Sequence, residues 1–491
     1  MNKKTNFKKT CIALSVAQAW SIGQVHAATM RVTTGTDEVA NGCTFRNAVR
    51  AINSRQDGNG CTKQFGSAEF GIDDTIEFSI SNITLEGGQD FGQITIEDAL
   101  PGTNPTHVRV SINPGGNRVI IRRSSLSASD FRIFEIQNST VSFDNVEITG
   151  GKTSDKGGGI KINIGSVSLN NSSVSGNSAT GSGGGISSFY GTTTLNNSTV
   201  SDNSTAGDGG GIYNDSGTSI LNNSTVSGNS ATGEGGGIYS TSSTTTLNNS
   251  TLSGNSAAGY GGGGIFNHFS TVILNGSTVA ANSASELGGG GICTTSDSTT
   301  TIDNSTVSGN YSRFAGGIWA VGGTINLSNS TVSSNEAVSF IGGIYNETNG
   351  IITLNNSIVA GNILLPSGNF SEVRSFDGVM NTSNSLFGNS TFGFNPVYNP
   401  ADNNIVVDLS STNLDSVLLP LTDNGGPTQT HALPEGSPAI DAGDNASCPA
   451  TDQRGEARDS QCDIGAYEDA QDETDFIVVP LPNGKAVIFG L

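Results

Sequence analysis

The sequence predicts a right-handed parallel β-helix, an all-β solenoid built from coils of about 26 residues and carrying a ladder of stacked asparagines. Two observations predict this fold. A repeat with a period of about 26 residues runs from Val141 to about Asn389, and no apolar pattern with a 3.6-residue period accompanies it. Each copy contains short runs rich in Thr, Val and Ile that are bounded by Gly, Asn and Ser, as strands are.

Three anchors recur in every copy of the repeat. The first is an aliphatic residue such as Leu169 in the run L-N-N-S-S-V, and the second is a valine or leucine such as Val174. The third is the isoleucine that ends a glycine run, such as Ile186. The spacing from the first anchor to a following asparagine stays fixed, whereas residues are gained or lost around the glycine run. Fixed stretches indicate strands and variable ones indicate loops.

The recurring asparagine predicts the internal ladder. Stacked coils bring equivalent residues into register about 4.8 Å apart, so each amide can bond to the next. Because asparagine also tolerates a left-handed backbone, we expect it at a turn. We assign it a structural role, not a ligand role. The predicted ladder comprises Asn177, Asn203, Asn229, Asn255, Asn282, Asn310, Asn335, Asn362 and Asn389.

Stacking is required because one coil cannot fold alone. Ordering a residue costs roughly 1.5 kcal/mol, whereas each buried aliphatic side chain returns only about 1.5 to 3 kcal/mol. Propeller blades are excluded because each blade needs a longer unit of about 40 residues with four strands. The β-solenoid remains.

The N-terminus reads as a secretory signal. Four lysines precede an apolar run from Cys11 to Gly23, and Val25-His26-Ala27 has the small-residue pattern of a cleavage site. The apolar run is too short to span a bilayer. We therefore expect cleavage after Ala27, export, and no transmembrane span.

The charge balance is strongly acidic. The chain has 22 basic and 43 acidic residues, and the predicted signal holds four of the basic ones and no acidic one. Because of this acidic balance, we do not expect the protein to bind nucleic acids. It also disfavours electrostatic binding to anionic lipid, and a solubilising role explains most of the charge.

Five cysteines follow the predicted signal. Cys43 with Cys61, and Cys448 with Cys462, are pairs that lie close in sequence, and export makes disulfides plausible at both. Cys293 stands alone inside a repeat. No cofactor is predicted.

The repeat and both ends of the chain resemble known bacterial modules. The V-x-x-N and G-G-G-I pair resembles the F-x-x-N and G-G-A-I repeats of polymorphic outer-membrane proteins. The run C-T-F-R-N-A at Cys43–Ala48 resembles the N-terminal CSLREA motif, and the residues from Leu421 to Glu468 resemble the choice-of-anchor Q domain. The resemblance implies an exported parallel β-helix with a variable anchor and no assigned catalysis.

We expect Arg46 and Arg454 to pair with carboxylates or cap carbonyls in the terminal segments, and His431 to form hydrogen bonds in a turn. The C-terminal run around Asn483-Gly484 predicts a type I′ hairpin. The predicted organisation is a signal peptide at 1–27, a disulfide-bonded CSLREA-like cap at 28–73, irregular first coils at 74–140, regular repeats at 141–410, a choice-of-anchor Q-like segment at 411–468, and an acidic linker with an apolar hairpin at 469–491.

An enzyme is the alternative function. A polysaccharide lyase on a pectate-lyase-like β-helix needs clustered carboxylates for calcium and a nearby base, and a glycoside hydrolase needs paired carboxylates. Only Lys161 and Arg313 supply bases between Gly157 and Leu365. Asp208 and Glu234 form the one stacked acidic pair, which we expect to be solvated. We therefore predict no catalytic residues and no metal site.

A column of side chains follows the ladder isoleucines by one residue. Because strand neighbours point to opposite faces, these residues should point outward. They are either an exposed aromatic stripe for binding or a surface packed beneath a loop or the C-terminal segment. The candidate stripe is Tyr213, Tyr239, Phe266, Trp319 and Tyr345.

These observations together predict a non-catalytic rod at the cell surface, in the outer membrane or outside the cell. Its role would be adhesin-like binding or surface display, with a glycan or a surface protein as the partner.

Overall fold

The computed structural model describes residues 28–34, 43–54, 57, 61, 63–64, 73–85, 93–97, 108–113, 115–295, 297–389, 402–469, 477–480 and 486–489. The predicted signal peptide at 1–27 lies outside the described residues. The predicted all-β parallel solenoid is confirmed: its strands form four long sheets whose members follow one another at intervals of one coil.

Each regular coil contributes one strand to each of four sheets, here named A to D in chain order. A representative coil has Ser166–Asn170 in sheet A, Ser173–Ser175 in sheet B, Ser178–Ala179 in sheet C and Ile186–Phe189 in sheet D. Pairing between coils is parallel and in register, so that Leu169 lies beside Leu195.

Sheets A and B carry the leucine and valine anchors. The strands of sheet A are Thr29–Val32, Asp73–Phe78, Val108–Ile112, Ser139–Asp144, Ser166–Asn170, Thr192–Asn196, Thr218–Asn222, Thr244–Asn248, Thr271–Asn275, Thr299–Asp303, Thr324–Ser328, Ile351–Asn355 and Val379–Ser383. The strands of sheet B are Asn82–Leu85, Val119–Arg123, Val146–Thr149, Ser173–Ser175, Thr199–Ser201, Thr225–Ser227, Thr251–Ser253, Thr278–Ala280, Thr306–Ser308, Thr331–Ser333, Ile358–Ala360, Leu386–Phe387 and Ile405–Val406.

Sheet C is the short one, and sheet D begins at the isoleucine anchor. The strands of sheet C are Lys152–Thr153, Ser178–Ala179, Ser204–Thr205, Ser230–Ala231, Ser256–Ala257, Ser283–Ala284, Tyr311–Ser312, Glu336–Ala337, Ile363–Leu364 and, antiparallel to the last, Asn369–Phe370. The strands of sheet D are Ile94–Glu97, Phe134–Gln137, Ile160–Asn163, Ile186–Phe189, Ile212–Asp215, Ile238–Thr241, Ile265–His268, Ile292–Thr295, Ile318–Val321, Ile344–Glu347 and Val373–Phe376.

The three anchors form one continuous core. Leu221, Val226 and Ile238 have no solvent exposure, and their equivalents in the other coils stack above and below them. The glycine run has a packing reason: a Cβ at Gly210 would collide with the carbonyl oxygen of Gly236 in the next coil. Glycine is therefore required where the coils approach each other most closely.

The N-terminal segment joins the solenoid directly. The strand Thr29–Val32 pairs with Asp73–Phe78 in sheet A, so the stack already includes a strand from the segment predicted as a cap. A helix, Phe45–Ser54, covers the open end of the core with a largely buried apolar face. The Cys43–Cys61 disulfide links the start of this helix to the chain that follows it.

The segment from 411 to 468 lies along the outside of sheet B. Its local structure is a 3₁₀ turn at Leu414–Ser416 followed by turns closed by the Cys448–Cys462 disulfide. It changes the burial of sheet B: the outward residues of Thr225–Ser227 are half-buried, whereas those of Thr306–Ser308 are buried. We call this segment the strap.

The last two described strands, Ile477–Pro480 and Ala486–Phe489, pair antiparallel. The predicted hairpin pairing is therefore present, and the turn type predicted at 483–484 falls outside the described residues. None of the helices within the described ranges has the length and apolarity needed to cross a bilayer.

Candidate functional site

The predicted asparagine ladder is structural and runs through the inside of the solenoid. In each rung the side-chain amide donates to the Oδ1 atom of the next asparagine, as from Asn203 to Asn229 at 2.9 Å. The same Oδ1 accepts the backbone N–H of Asn203 at 3.0 Å. The ladder asparagines lie at a turn, and the positive φ of that turn falls on the residue before each of them, such as Gly228.

The ladder does not continue to Asn389 as predicted. The side-chain amide of Asn362, which would donate to the next asparagine of the ladder, donates instead to the Oε2 atom of Glu372 at 2.6 Å. Strand register explains the error: Phe387 pairs with Val359, which places Asn389 beside Gly361 and one residue out of step. A buried carboxyl group therefore ends the ladder.

A second internal ladder escaped the sequence prediction. Each serine of the N-S-T or N-S-S run accepts the backbone N–H of its equivalent in the previous coil, as Ser224 does from Ser198 at 3.0 Å. The asparagine before it, such as Asn223, has a positive φ. The recurrence of N-S in the repeat, with Gly276 in place of the asparagine in one coil, was the available signal, because both residues bridge sheets A and B.

The candidate aromatic stripe is mostly covered. Trp319 and Tyr345 are 8% and 3% exposed, and Phe266 is also buried, so the packed alternative, not the exposed stripe, holds for these three residues. They point away from the main core but pack in a second apolar cluster beneath the loops between sheets C and D. Rings from those loops cover them: Phe314 lies 5.1 Å from Trp319, centroid to centroid.

Tyr213 and Tyr239 are the two stripe residues that remain half-exposed. Their rings stack with centroids 5.2 Å apart and an angle of 14° between the planes, and Phe266 continues the stack at 5.3 Å from Tyr239. The Lys156 amino group lies over the other side of the Tyr213 ring, 4.8 Å from its centroid. Both faces of each tyrosine ring are thus covered by a neighbouring side chain, and the ring edges and hydroxyl groups face the solvent.

Three carboxylates surround these two tyrosines. Asp215 accepts from the Tyr213 hydroxyl at 3.5 Å, and Glu234 shares a hydrogen bond with Asp208. Burial, reinforced by the hydrogen bond and charge of Asp208, raises the pKa of Glu234 to about 7. None of the three acids forms an ion pair with a residue that the structure describes. We call Tyr213, Tyr239, Asp208, Asp215 and Glu234 the acidic tyrosine patch.

A charged cluster lies on the same sheet near its N-terminal end. Arg132 bonds Asp155 at 2.6 Å, and Lys161 bonds Asp155 at 2.9 Å and lies 3.6 Å from Glu135. Burial opposes ionisation of Asp155, but the hydrogen bonds from Lys161 and Arg132 lower its pKa to about 2. This cluster was not predicted from the sequence, because Arg132, Glu135 and Asp155 lie outside the regular repeats or in a loop.

The charges of this cluster neutralise one another. Two basic side chains face two acidic ones, so the carboxylates and the Lys161 amino group are engaged in ion pairs with each other. Among the described residues, no group of three His, Cys, Asp or Glu side chains has the geometry to hold a metal ion.

The terminal polar residues have the structural roles predicted for them. Arg46 donates to the carbonyl of Gln93 at 3.0 Å, and Arg454 pairs with Asp452 at 2.7 Å. His431 holds the strap against sheet B through Ser308, with its Nε2 atom 2.9 Å from the hydroxyl oxygen. Burial raises the pKa of the Cys293 thiol to about 12, so this side chain is an unreactive packing residue.

Comparisons with known proteins match the repeat and the solenoid. Residues 197–215 and 223–241 match the model of the Chlamydia polymorphic membrane protein repeat. No curated protein sequence matches the chain. Among solved structures, the pectate lyase Pel9A shares 16% sequence identity with a TM-score of 0.41, over 90% of this chain and 97% of that one.

Proposed function

We propose that this protein is an exported, non-catalytic β-solenoid that works at a bacterial cell surface, in the outer membrane or outside the cell, where it binds a partner through the acidic tyrosine patch. The match of two coils to a polymorphic membrane protein repeat supports surface display. The two disulfides suit a chain that folds in an oxidising compartment. The observation that carries the binding role is the patch itself, where three acids without ion pairs surround two accessible tyrosines.

The chemistry of the patch favours a partner rich in hydrogen-bond donors and positive charge. Stacked rings present edges and hydroxyls to solvent, so a sugar ring cannot lie flat on Tyr213 or Tyr239. Carboxylates pair best with Arg and Lys side chains, and tyrosine is a frequent anchor in protein interfaces. The proposed partner is therefore a surface protein that presents a basic segment, and a glycan at this patch is the competing outcome.

Catalysis on polysaccharides fits the geometry less well. Glycosidase carboxyl groups stand about 5 to 9.5 Å apart, with the substrate or a water molecule between them. Asp208 and Glu234 instead bond to each other directly. The cluster around Lys161 has bases and acids in one place, but its ion pairs occupy them. The lyase and hydrolase alternatives remain proposals that no arrangement of acids and bases among the described residues supports.

The test uses immobilised peptides rich in Lys and Arg, with a glycan array run in parallel on the same folded protein. Tyr213→Ser with Tyr239→Ser, and separately Asp208→Asn with Glu234→Gln, should weaken peptide binding by about tenfold or more. Serine fits the position, since Ser187 occupies it one coil earlier. Asp202→Asn is the matched control, because Asp202 is an exposed acid at the corner after sheet B.

Binding should also respond to pH and salt. Deprotonation of Glu234, whose pKa is raised to about 7, adds negative charge between pH 6 and 8, so affinity for basic peptides should rise over that interval. Added salt should weaken it. Equal binding by the wild type and both double variants, or loss of binding in Asp202→Asn alone, would remove the patch as the recognition surface.

A further inference from the structure

The corner between sheets D and A carries two aromatic residues in a column that otherwise holds mostly small or polar residues, apart from Ile164. One residue at this corner has a left-handed backbone in successive coils, and the column reads Ile164, Tyr190, Ser216, Ser242, Phe269 and Asp297. Large side chains are disfavoured in this conformation, and serine, aspartate and glycine avoid most of the cost. Tyr190 and Phe269, with φ of 50° and 48°, therefore adopt this conformation at an energetic cost, as Ile164 does.

Burial does not explain these two aromatics. Tyr190 is 59% exposed and Phe269 is 50% exposed, and neither belongs to the main core. Each has an adjacent ring against it: Phe189 lies 4.4 Å from Tyr190, and His268 lies 4.1 Å from Phe269, between centroids. Two exposed aromatic pairs thus stand on one edge of the solenoid.

Phe269 lines a shallow polar groove, and Tyr190 lies at the same corner one coil beyond the groove. Ser216, Ser242 and Thr244 line a space of about 450 Å³, with Phe269 as one wall. Tyr190 occupies the corner one coil before Ser216, and the two aromatics are three coils apart, or about 14 Å along the axis. Of the ten residues that line the groove in the described part of the chain, only Asp297 is charged.

We propose that this groove binds a neutral polysaccharide chain. Hydroxyl groups along the floor can exchange hydrogen bonds with sugar hydroxyls, while the exposed rings of Phe269, within the groove, and of Tyr190, one coil beyond it, offer apolar surface to the C–H faces of sugar rings. The net charge of −21 on the whole chain disfavours polyanionic glycans. This site goes beyond the proposed function, because it uses a different edge, a different ligand class and no residue of the acidic tyrosine patch.

Native-gel affinity electrophoresis of the full chain tests the proposal. The gels contain xylan, a mixed-linkage β-glucan, galactomannan or dextran, and polygalacturonate serves as the anionic comparison. The wild type should be retarded by at least one neutral polymer. Tyr190→Ser combined with Phe269→Ser should reduce the retardation at least about tenfold in apparent affinity. The same exchange to asparagine, which tolerates a left-handed backbone, checks that folding is not the cause.

The matched control is Ile164→Ser, since Ile164 has the same exposed corner conformation outside the groove. It should leave retardation unchanged. Retention of glycan binding by both double variants, an equal loss in Ile164→Ser, or no retardation of the wild type by any neutral polymer would overturn the proposal. If Tyr213→Ser with Tyr239→Ser abolishes retardation while the corner variants bind normally, the glycan site belongs to the acidic tyrosine patch instead. Failure of basic-peptide binding with intact glycan retardation would overturn only the proposed function.

Discussion

Replacing one ladder asparagine by alanine should weaken the solenoid far more than replacing an outer asparagine of the same coil. Asn229 has no solvent exposure, and its side chain takes part in four hydrogen bonds. It donates to the Val200 carbonyl and to Asn255 Oδ1, each at 2.9 Å. Its own Oδ1 accepts from the backbone and the side chain of Asn203.

The magnitude follows from these contacts. Four hydrogen bonds at about 0.5 to 1.5 kcal/mol each give a loss of about 2 to 6 kcal/mol in the free energy of unfolding. The buried N–H of Asn203 loses its acceptor in Asn229→Ala, which places the expected value near the middle of that range. Because coils contact only their neighbours, the damage should concentrate in the coils on either side.

The control is Asn222→Ala, seven residues earlier in the same coil. Asn222 bonds Asn196 and Asn248 through its side chain at 2.9 Å, but it is half-buried and water can replace both partners. Its loss should cost under about 1 kcal/mol. Urea unfolding gives the two free energies, and hydrogen exchange reports the Asn203 amide, which should exchange at least about a hundredfold faster in Asn229→Ala. Equal effects of the two substitutions would refute the ladder argument.

Three further predictions concern burial, pH and the strap. Trp319→Ser should lower the free energy of unfolding by about 2 to 4 kcal/mol because it leaves a cavity in a packed cluster, whereas Tyr213→Ser should lower it by under about 1 kcal/mol. Similar losses in the two variants would contradict the burial assigned to these residues. Burial raises the pKa of Glu372 to about 8, so the stability that its protonation provides is present at low pH and is lost as the pH rises from about 4.5 to 8. In Glu372→Gln the melting temperature should therefore depend less on pH over that range. An unchanged slope of melting temperature against pH would contradict this prediction. Gln453 of the strap donates to Thr278 of sheet B at 2.9 Å and to Thr428 of the strap at 2.8 Å, so Gln453→Ala should speed proteolytic release of the strap while sheet hydrogen exchange stays slow. Loss of both together would contradict this prediction, because the strap would then be part of one folding unit with the sheets.

The repeat made the solenoid and its core predictable because register depends on local spacing. Residues such as Leu221 and Asn229 recur at fixed distances, and parallel stacking then determines their neighbours. The same reasoning failed at Asn389, where the irregular segment between 363 and 385 shifts the pairing by one residue. Taking Phe387 as the core residue equivalent to Val359 would have given the correct register.

The candidate site was less predictable because it depends on how loops fold back. The outward direction of the stripe followed from strand alternation, but its burial depends on Phe314 and Phe340, which lie in loops of variable length. The stack of Tyr213 on Tyr239 follows from coil spacing, and the orientation of the ring edges toward solvent could have been inferred from it. The ion pair of Lys161 with Asp155 could not have been inferred from the sequence, since Asp155 lies in an irregular turn.

The central claim is that the protein binds without cleaving. The direct measurement is product analysis after prolonged incubation of the folded, full-length protein with the neutral polysaccharides and polygalacturonate, with and without Ca²⁺. Reducing ends and unsaturated sugar products are quantified in the same samples in which binding is recorded. We expect retention of a neutral polymer with no new reducing ends and no unsaturated product under either condition. Accumulation of either product, abolished by Lys161→Ala or by Glu234→Gln, would contradict it and assign an enzyme to this solenoid.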